Sequence, residues 1–381
     1  MRSGRSGDCR EAVPANTRSG TARLVTVRQE FAPLARRSRL SMTSDTTAAP
    51  GIVASTQRPT PTFRTARRDR WLRMYPVALG LGGLGGSWRT AVGFGAPAWP
   101  ALCLAVLCLG AWLTITAMYV LKGRWDPRAF IADLRHPEQG FALGYIPVIP
   151  VLLVAQAAPY TSDFRALDLG LVALWAILTA ALVAHWITTP RDRHAIHPGL
   201  SLPVVAGPFI SCISLQGNGW HLLAQGLFAV GMFFWAMFGT LIVGRLMTEQ
   251  RLSDARFPTM ATLMVPPATA GTAWFALNGN RVTTLGVGLA GVLAMMALIQ
   301  LFILPDYLRR PFTISNWVFS FPLAATANTV GHWAIAAPYP LARVLAWSTL
   351  ISATATIGLL AILTVRTAWR TLRAERHWIP C

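Results

Sequence analysis

Five hydrophobic stretches of this chain carry prolines in their interiors, and they alternate with five stretches whose interiors carry none, Pro100 lying only at the start of the second stretch. We call them the proline spans and the proline-free spans. A proline inside a helix lacks the N–H that bonds one turn earlier, and its ring clashes there, so the helix kinks or breaks. In a bilayer the freed carbonyls are tolerated only where they are buried in protein or line a wet cavity. The alternation therefore predicts five kinked inner helices around a passage, shielded by five straight outer helices. The prolines concerned are Pro76, Pro147, Pro150, Pro203, Pro208, Pro266, Pro267 and Pro322.

The composition is that of a membrane protein. Hydrophobic residues make up 53% of the 381 residues and charged residues only 13%. The apolar stretches between the charge clusters are about 18 to 25 residues long, which is the length that a spanning helix requires. The sequence therefore predicts an all-α integral membrane protein with ten spans. We place these spans at residues 74–95, 98–121, 139–158, 166–189, 199–219, 220–244, 258–278, 283–304, 313–335 and 341–365.

Residues 1–73 differ from the rest, with fifteen arginines, five acidic residues and no apolar stretch that could span a membrane. Such a segment is predicted to be disordered. Its composition is that of an organelle transit peptide. Alternatively, the start codon lies too far upstream and Met42 opens the protein, which the strong preference for arginine over lysine favours. The predicted domains are this basic extension, a ten-helix transporter or channel domain at 74–370, and a cytoplasmic tail at 371–381.

The remaining basic residues predict the orientation of the chain. Fifteen of these nineteen residues lie after the even-numbered spans. The four on the other side are Arg89, Arg165, Arg281 and Arg343. Because basic connections stay in the cytoplasm, both termini are predicted to be cytoplasmic. The predicted location is the plasma or inner membrane.

The polar residues favour an anion over a cation. Spans 5, 7 and 9 concentrate Ser, Thr and Asn residues, whose side chains can donate hydrogen bonds to a passing anion. Such residues also hold helices together. No acidic residue after residue 73 falls in a predicted membrane interior, which disfavours a cation channel or a carboxylate-based proton pump.

Other classes of function lack their sequence signals. We find no catalytic motif and no metal-ligand spacing among the five cysteines. The interleaved aromatic and basic residues of a nucleic-acid groove are also missing. We therefore expect no enzyme, no cofactor, no metal and no nucleic-acid partner.

Four motifs resemble the tellurite-resistance and dicarboxylate transporter (TDT) family. It includes bacterial tellurite-resistance channels of the TehA type, fungal malate permeases and sulfite exporters, and the slow anion channels of guard cells. The motifs begin at Met74, Asp133, Pro198 and Pro311 and lie in the family's order over about residues 74–370. They read MYPVALGLGGLGGSWR, DLRHP, PGLSLP and PFTISNWVFSFP. The bacterial branch is the nearer match.

The resemblance implies a quasi-fivefold ring of helical hairpins in which the odd spans line a pore, with one pore in each protomer of a homotrimer. It also implies a phenylalanine gate in span 9, at the position of Phe321, with Phe319 as the natural control. His136 matches the family's loop histidine at the cytoplasmic mouth. Arg89 and His332, near the outer ends of spans 1 and 9, are predicted at the outer mouth of the pore, where Arg89 would raise the anion concentration and His332 would sense pH. The alternatives are an arginine that reaches the interface and an interfacial histidine with a satisfied hydrogen bond.

The leading hypothesis is a gated passage of small inorganic or organic anions through the lipid bilayer, by way of a central pore in each protomer. The alternative is a proton-coupled carrier or exporter of a C4-dicarboxylate such as malate, of sulfite or of tellurite in the same fold. The anion, the direction of flow and the gating stimulus stay open.

Overall fold

A computed structural model describes residues 71–376 apart from residues 124, 125, 138, 162, 191 and 338. The predicted N-terminal extension, Met42 included, falls almost wholly outside the described residues, as do residues 377–381. The regular structure of the described residues is helical throughout and contains no strand. Its α-helices are α1 (Tyr75–Val92), α2 (Trp99–Gly123), α3 (Pro127–Leu134), α4 (Tyr145–Ala157), α5 (Arg165–Thr188), α6 (Gly207–Gly217), α7 (His221–Thr248), α8 (Val265–Leu277), α9 (Thr284–Leu308), α10 (Ser320–Ala336) and α11 (Pro340–Arg376).

Each of the ten predicted spans contains one of these helices, and α3 is a short addition between spans 2 and 3. Seven helical stretches of the described chain are long and apolar enough, by length and composition, to cross a membrane. The main difference in boundaries is at the C-terminal end. There α11 continues to Arg376, beyond the predicted start of the tail at residue 371.

The prolines mark changes of helix type more often than kinks in one continuous helix. Spans 3, 7 and 9 begin with the 3₁₀ helices Gly140–Gly144, Phe257–Met264 and Ile314–Phe319, and span 5 contains the π-helix Leu202–Ala206. The α-helix then starts within three residues of a proline, because a proline fits the first turn, where its missing N–H has no intrahelical partner. The prolines in these first turns are Pro147, Pro208, Pro266, Pro267 and Pro322, and Pro203 lies in the first turn of the π-helix.

Two prolines depart from the predicted alternation. Pro76 lies in the first turn of α1 and does not interrupt it, so span 1 has no proline kink. Pro305 lies inside α9, because this helix of a proline-free span extends four residues beyond the predicted boundary at residue 304. Pro150 is an interior proline of a proline span, as the sequence predicted.

The carbonyl that Pro150 leaves without its helical donor is satisfied from a neighbouring helix. In an α-helix the N–H of residue 150 would bond the carbonyl of Ile146, four residues earlier. Trp112 of α2 takes this place, because its indole Nε1 donates to the Ile146 carbonyl at 3.0 Å. An outer side chain thus supplies the hydrogen bond that the proline withholds.

Spans 5 and 7 receive the same support from proline-free helices. In a π-helix the Pro203 carbonyl would accept a hydrogen bond from the residue five positions later. In span 5 that residue is Pro208, which has no N–H to donate. The indole of Trp175 in α5 donates to this carbonyl at 2.9 Å. The side chain of Gln300 in α9 donates to the Met260 carbonyl of span 7 at 3.2 Å. The irregular backbone of these spans is therefore paired by protein.

The proline spans form the buried part of the packing. Of the apolar window in Pro198–Gly217, 94% is buried, and the value for Gly140–Ala157 is 56%. The proline-free windows, which belong to α2, α5, α7, α9 and α11, are only 11% to 28% buried. In order along the chain, α1 contacts α4, α4 contacts α6, α6 contacts α8, and α8 contacts α10, which in turn contacts α1.

The connections divide between two ends of this helical unit. We call the end with the connections after α2, α5, α7 and α9 the basic end, and the other the opposite end. At the basic end, Arg256 Nη1 donates to the His194 carbonyl at 2.9 Å. A salt bridge of 2.9 Å joins Arg310 to Asp254. These contacts join connections that are distant in sequence.

Candidate functional site

A cavity of about 310 Å³ opens at the basic end, and all five proline spans contribute to its wall. The five spans of the predicted alternation therefore border a common space here. The main lining residues, in span order, are Pro76, Gln139, Tyr145, His197, Leu202, Arg256, Thr259, Ser315 and Val318.

The charges around this cavity favour an anion. Arg73 and Arg256 are the charged residues among its described lining. Two acidic side chains in the connection after α7 are engaged with other arginines, since Asp254 pairs with Arg310 at 2.9 Å and Glu249 lies 3.5 Å from Arg193. A concave wall whose described lining has basic groups and no carboxylate raises the local concentration of anions.

Gln139 is the most constrained polar side chain in this wall. It is 7% exposed, and its Oε1 is enclosed without a hydrogen-bond partner. Rotation of the amide by 180° places the Nε2 donors where Oε1 lies, which would suit an anion in the cavity. His197 lines the same wall, with its ring in edge contact with Phe141 at 5.6 Å between centroids. Neither residue is predicted from the sequence as a site residue, because their spacing matches no motif.

Phe321 lies one turn deeper along span 9 than the cavity wall. Val318 lines the cavity, and Phe321 follows three residues later, which brings it to the same helical face. Its ring is 4% exposed and packs against α1 at Gly83. A Cβ atom at Gly83 would be 2.9 Å from Cδ2 of Phe321, so this close approach requires a glycine.

The control residue Phe319 has different surroundings. Its ring makes an edge contact with Tyr307 of α9, with 4.8 Å between the centroids. Phe319 does not belong to the described cavity lining. The two phenylalanines of the motif therefore face different neighbours.

The hydroxyl groups of spans 7 and 9 are largely engaged within their own helices. Thr262, Thr269 and Thr326 donate to carbonyls three or four residues earlier, at 2.7 to 2.8 Å. Thr272 and Thr329 lie 2.8 Å apart across the contact of α8 with α10. A hydroxyl has one proton to donate, so these groups hold the helices in this state and leave few donors for an anion.

Two predicted mouth residues lie near the opposite end. The guanidinium of Arg89 stacks over the ring of Tyr160 at 5.0 Å, and its Nη1 is enclosed without a hydrogen-bond partner. His332 Nδ1 donates to Asn280 Oδ1 at 2.9 Å, and its ring stacks on Phe275. The structure gives His332 the satisfied hydrogen bond of the alternative interpretation.

The remaining predicted site residues are distributed differently. His136 forms part of the turn before Gln139, because its carbonyl accepts from the Gly140 N–H at 3.0 Å. It does not belong to the described lining of the cavity, and neither do the predicted prolines other than Pro76. Most of these prolines are buried between helices instead.

A buried carboxylate at the opposite end was also missed. Asp168 is in the first turn of α5, where the sequence placed it beside a connection, yet it is fully buried. It accepts hydrogen bonds from Ser214 Oγ at 2.7 Å and from Asn218 Nδ2 at 3.0 Å. These bonds join α5 to α6 and satisfy the carboxylate without a cation.

Comparison with known proteins identifies the family. Residues 72–365 match the family described as SLAC1, voltage-dependent anion channel. The tellurite resistance protein TehA homolog of Haemophilus influenzae is 26% identical over 231 residues, which cover 59% of this chain and 69% of the relative. The S-type anion channel SLAH4 of Arabidopsis thaliana is 25% identical over 240 residues, which cover 59% of this chain and 64% of the relative.

A third relative is the guard cell S-type anion channel SLAC1 of Arabidopsis thaliana, which is 24% identical over 277 residues. This match covers 68% of the present chain and about half, 48%, of the relative. The resemblance that the four motifs predicted is confirmed, and with the seven apolar helices it describes a multi-pass membrane protein of an anion channel family rather than an enzyme family. The chain belongs to the voltage-dependent anion channel family.

Proposed function

We propose that this protein is a gated anion channel in which the basic-end cavity is one mouth of the pathway and Phe321 is the gate. The observation that carries the proposal is the wall of the cavity, to which all five proline spans contribute and beyond which Phe321 follows on the same helical face. Arg73 and Arg256 at this mouth favour anions.

The contacts between helices support a ring of five helical hairpins. The cycle from α1 through α4, α6, α8 and α10 returns to α1. Each proline-free helix makes its main contact with the proline-span helix that precedes it: α2 with α1, α5 with α4, α7 with α6, α9 with α8, and α11 with α10. The low burial of the proline-free helices agrees with an outer layer that faces lipid. We therefore propose ten spans, with the proline spans inside.

The gate is proposed to work through movement of the Phe321 ring. Span 9 changes from 3₁₀ to α-helix at Ser320, the residue before Phe321. Such a change of helix type is a common site of local adjustment. Because Gly83 leaves no side chain beside the ring, a small shift of α1 relative to α10 changes the space that the ring fills.

We further propose that the basic end faces the cytoplasm, as the basic connections predict for a protein of the plasma or inner membrane. One pore in each protomer of a homotrimer is the assembly that the family resemblance favours. Native mass spectrometry of the purified protein tests this assembly, and a monomer or a dimer would contradict it.

The experiment that tests the gate compares Phe321→Ala with Phe319→Ala in planar bilayers under a chloride or nitrate gradient. Removal of the Phe321 ring should raise the anion current about tenfold or more, which corresponds to a barrier lower by about 1.4 kcal/mol. Phe319→Ala should change the current little, because its ring packs on Tyr307.

The gate assignment is wrong if the two variants conduct equally, or if Phe321→Ala conducts no better than the wild type. A silent Phe321→Ala protein that accumulates malate, sulfite or tellurite under a pH gradient would instead establish the proton-coupled carrier. The name of the tellurite-resistance relative makes tellurite the first such substrate to test.

A further inference from the structure

Arg245, in the last turn of α7, is a buried cation. Its relative exposure is 7%, and its Nε is enclosed without a hydrogen bond. No described residue forms an ion pair with its guanidinium. A buried charge is normally paired or hydrogen-bonded, because removal from water is costly. Arg245 therefore indicates a missing anion.

The nearby groups of α7 do not supply this anion. Glu249, four residues later, is the acid that helical geometry brings closest to Arg245. Its carboxylate instead lies 3.5 Å from Arg193. The C-terminal end of the α7 dipole favours a cation at this position. This dipole field is not, however, a hydrogen-bond acceptor for the guanidinium N–H groups of Arg245.

An apolar groove of about 420 Å³ runs along the same helix. No charged residue is part of its described lining. It lies between the outer helices α7 and α9, and the irregular parts of spans 5 and 7 form its floor. Its characteristic residues are Trp235, Gly239 and Val243 of α7, Val292 and Met296 of α9, and Pro266 of α8.

The dimensions of the groove suit one acyl chain of one leaflet. From Met232 to Val243 it follows twelve residues of α7, or about 16 Å at the rise of an α-helix. This is about half of the hydrocarbon thickness of a bilayer. Its rim is open between the helices, since Val243 is 42% and Val292 is 40% exposed.

The groove leads towards Arg245. Ile242 lines the groove, is itself buried, and lies one turn before Arg245 on the same face of α7. A helical side chain leans towards the N-terminus of its helix. The stem of Arg245 therefore extends back over the turn at Ile242, near the end of the groove.

We propose that the groove and Arg245 together bind one anionic phospholipid from the leaflet at the basic end. One acyl chain fills the groove between α7 and α9, and the phosphate accepts hydrogen bonds from the guanidinium. Arginine is suited to this contact, because its planar fork matches phosphate oxygens in a bidentate geometry. The apolar floor favours a lipid over a free phosphate ion, which could use only the guanidinium.

Native mass spectrometry of the purified protein in detergent tests the proposal. Phosphatidylglycerol is titrated against a diacyl galactolipid with the same acyl chains and no phosphate. Three variants are compared with the wild type: Arg245→Met, Gly239→Leu and, as the matched control, Arg251→Met. Arg251 is an exposed arginine of the same end. At Gly239 an added Cβ meets only Trp235 at ordinary contact distance, so the leucine can extend into the groove.

The wild type should bind phosphatidylglycerol about tenfold more tightly than the galactolipid. Arg245→Met should remove this preference while binding of the galactolipid stays unchanged. Gly239→Leu should weaken binding of both lipids, and Arg251→Met should alter neither. Equal binding of phosphatidylglycerol by Arg245→Met and wild type would overturn the proposal. Binding of inorganic phosphate as tight as that of the lipid would overturn the assignment of the groove. Currents are not the readout, so the result is independent of the proposed gate.

Discussion

The closest contact of the candidate gate involves a residue without a side chain. Gly83 faces both the ring of Phe321 and Cβ of Ala324. A Cβ atom added to Gly83 would be 2.9 Å from the ring and 3.2 Å from Cβ of Ala324. Gly80, one turn earlier on α1, faces Ser320 in the same way. Glycines on one face of a helix let two helices approach closely, as in other membrane helix pairs. The packing of α1 on α10 therefore determines how much space the ring has.

We predict that Gly83→Ala changes the gate while the same substitution at Gly110 does not. The new methyl group must displace the Phe321 ring or separate α1 from α10, so the anion current in planar bilayers should rise, by less than in Phe321→Ala. At Gly110 of α2 an added Cβ meets nothing within 4 Å. Gly110→Ala should therefore leave the current unchanged and add up to about 1 kcal/mol of helix stability.

A double variant separates gating from misfolding. In Gly83→Ala with Phe321→Ala, the methyl group occupies space that the ring has left. The double variant should therefore lose less of its thermal midpoint than the sum of the two separate losses. If the two substitutions lower the midpoint additively, the methyl group does not act on the ring, and the contact is irrelevant to the gate.

At the scale of the helices, side chains of the proline-free spans donate hydrogen bonds to backbone carbonyls of the proline spans. Trp112 and Trp175 donate to the carbonyls of Ile146 and Pro203 at 3.0 and 2.9 Å. In each case a proline withholds the regular helical donor. A buried carbonyl without a partner is costly. The two layers are thus joined by specific hydrogen bonds as well as by apolar packing.

We predict that Trp112→Phe and Trp175→Phe each lower the free energy of unfolding by about 1 to 3 kcal/mol, because each leaves one buried carbonyl unsatisfied. Trp99→Phe is the matched control, since Trp99 is 67% exposed at the start of α2. Thermal unfolding in one detergent compares the three variants. If Trp99→Phe were as unstable as Trp175→Phe, the loss of stability would come from the smaller aromatic area and not from the missing hydrogen bond.

The sequence predicted the helices well because each span is a long apolar run with charged or polar ends. Hydrophobicity alone could not show that Pro76 starts a helix or that α9 continues through Pro305. The same limit applies to the site. The resemblance of a motif predicted Phe321 as a gate, which stays a prediction, whereas the burial of Gln139 and Asp168 arises only when distant spans pack together. Asp168 lies beside a connection in sequence and is buried because Ser214 and Asn218 cover it.

At the scale of the whole molecule, charge separates the two ends of the helical unit. Fifteen of the nineteen basic residues after residue 73 belong to the basic end or to the C-terminal part of α11. Basic connections are retained on the cytoplasmic side during insertion. The cavity with Arg73 and Arg256 should consequently open to the cytoplasm, and Arg89 should lie on the outer side. This orientation sets which mouth an exported anion would enter.

We predict that the two ends lie on opposite sides of the cell membrane. A variant without its native cysteines receives a single cysteine, either as Arg251→Cys at the basic end or as Tyr339→Cys at the opposite end. Both positions are exposed. A thiol reagent that cannot cross membranes should modify Tyr339→Cys in intact cells, and Arg251→Cys only after permeabilisation. The reverse pattern would place the basic cavity outside. Modification of both cysteines in intact cells would mean that an even number of crossings separates residues 251 and 339. The ten-span arrangement places three crossings between them, so this result would contradict it.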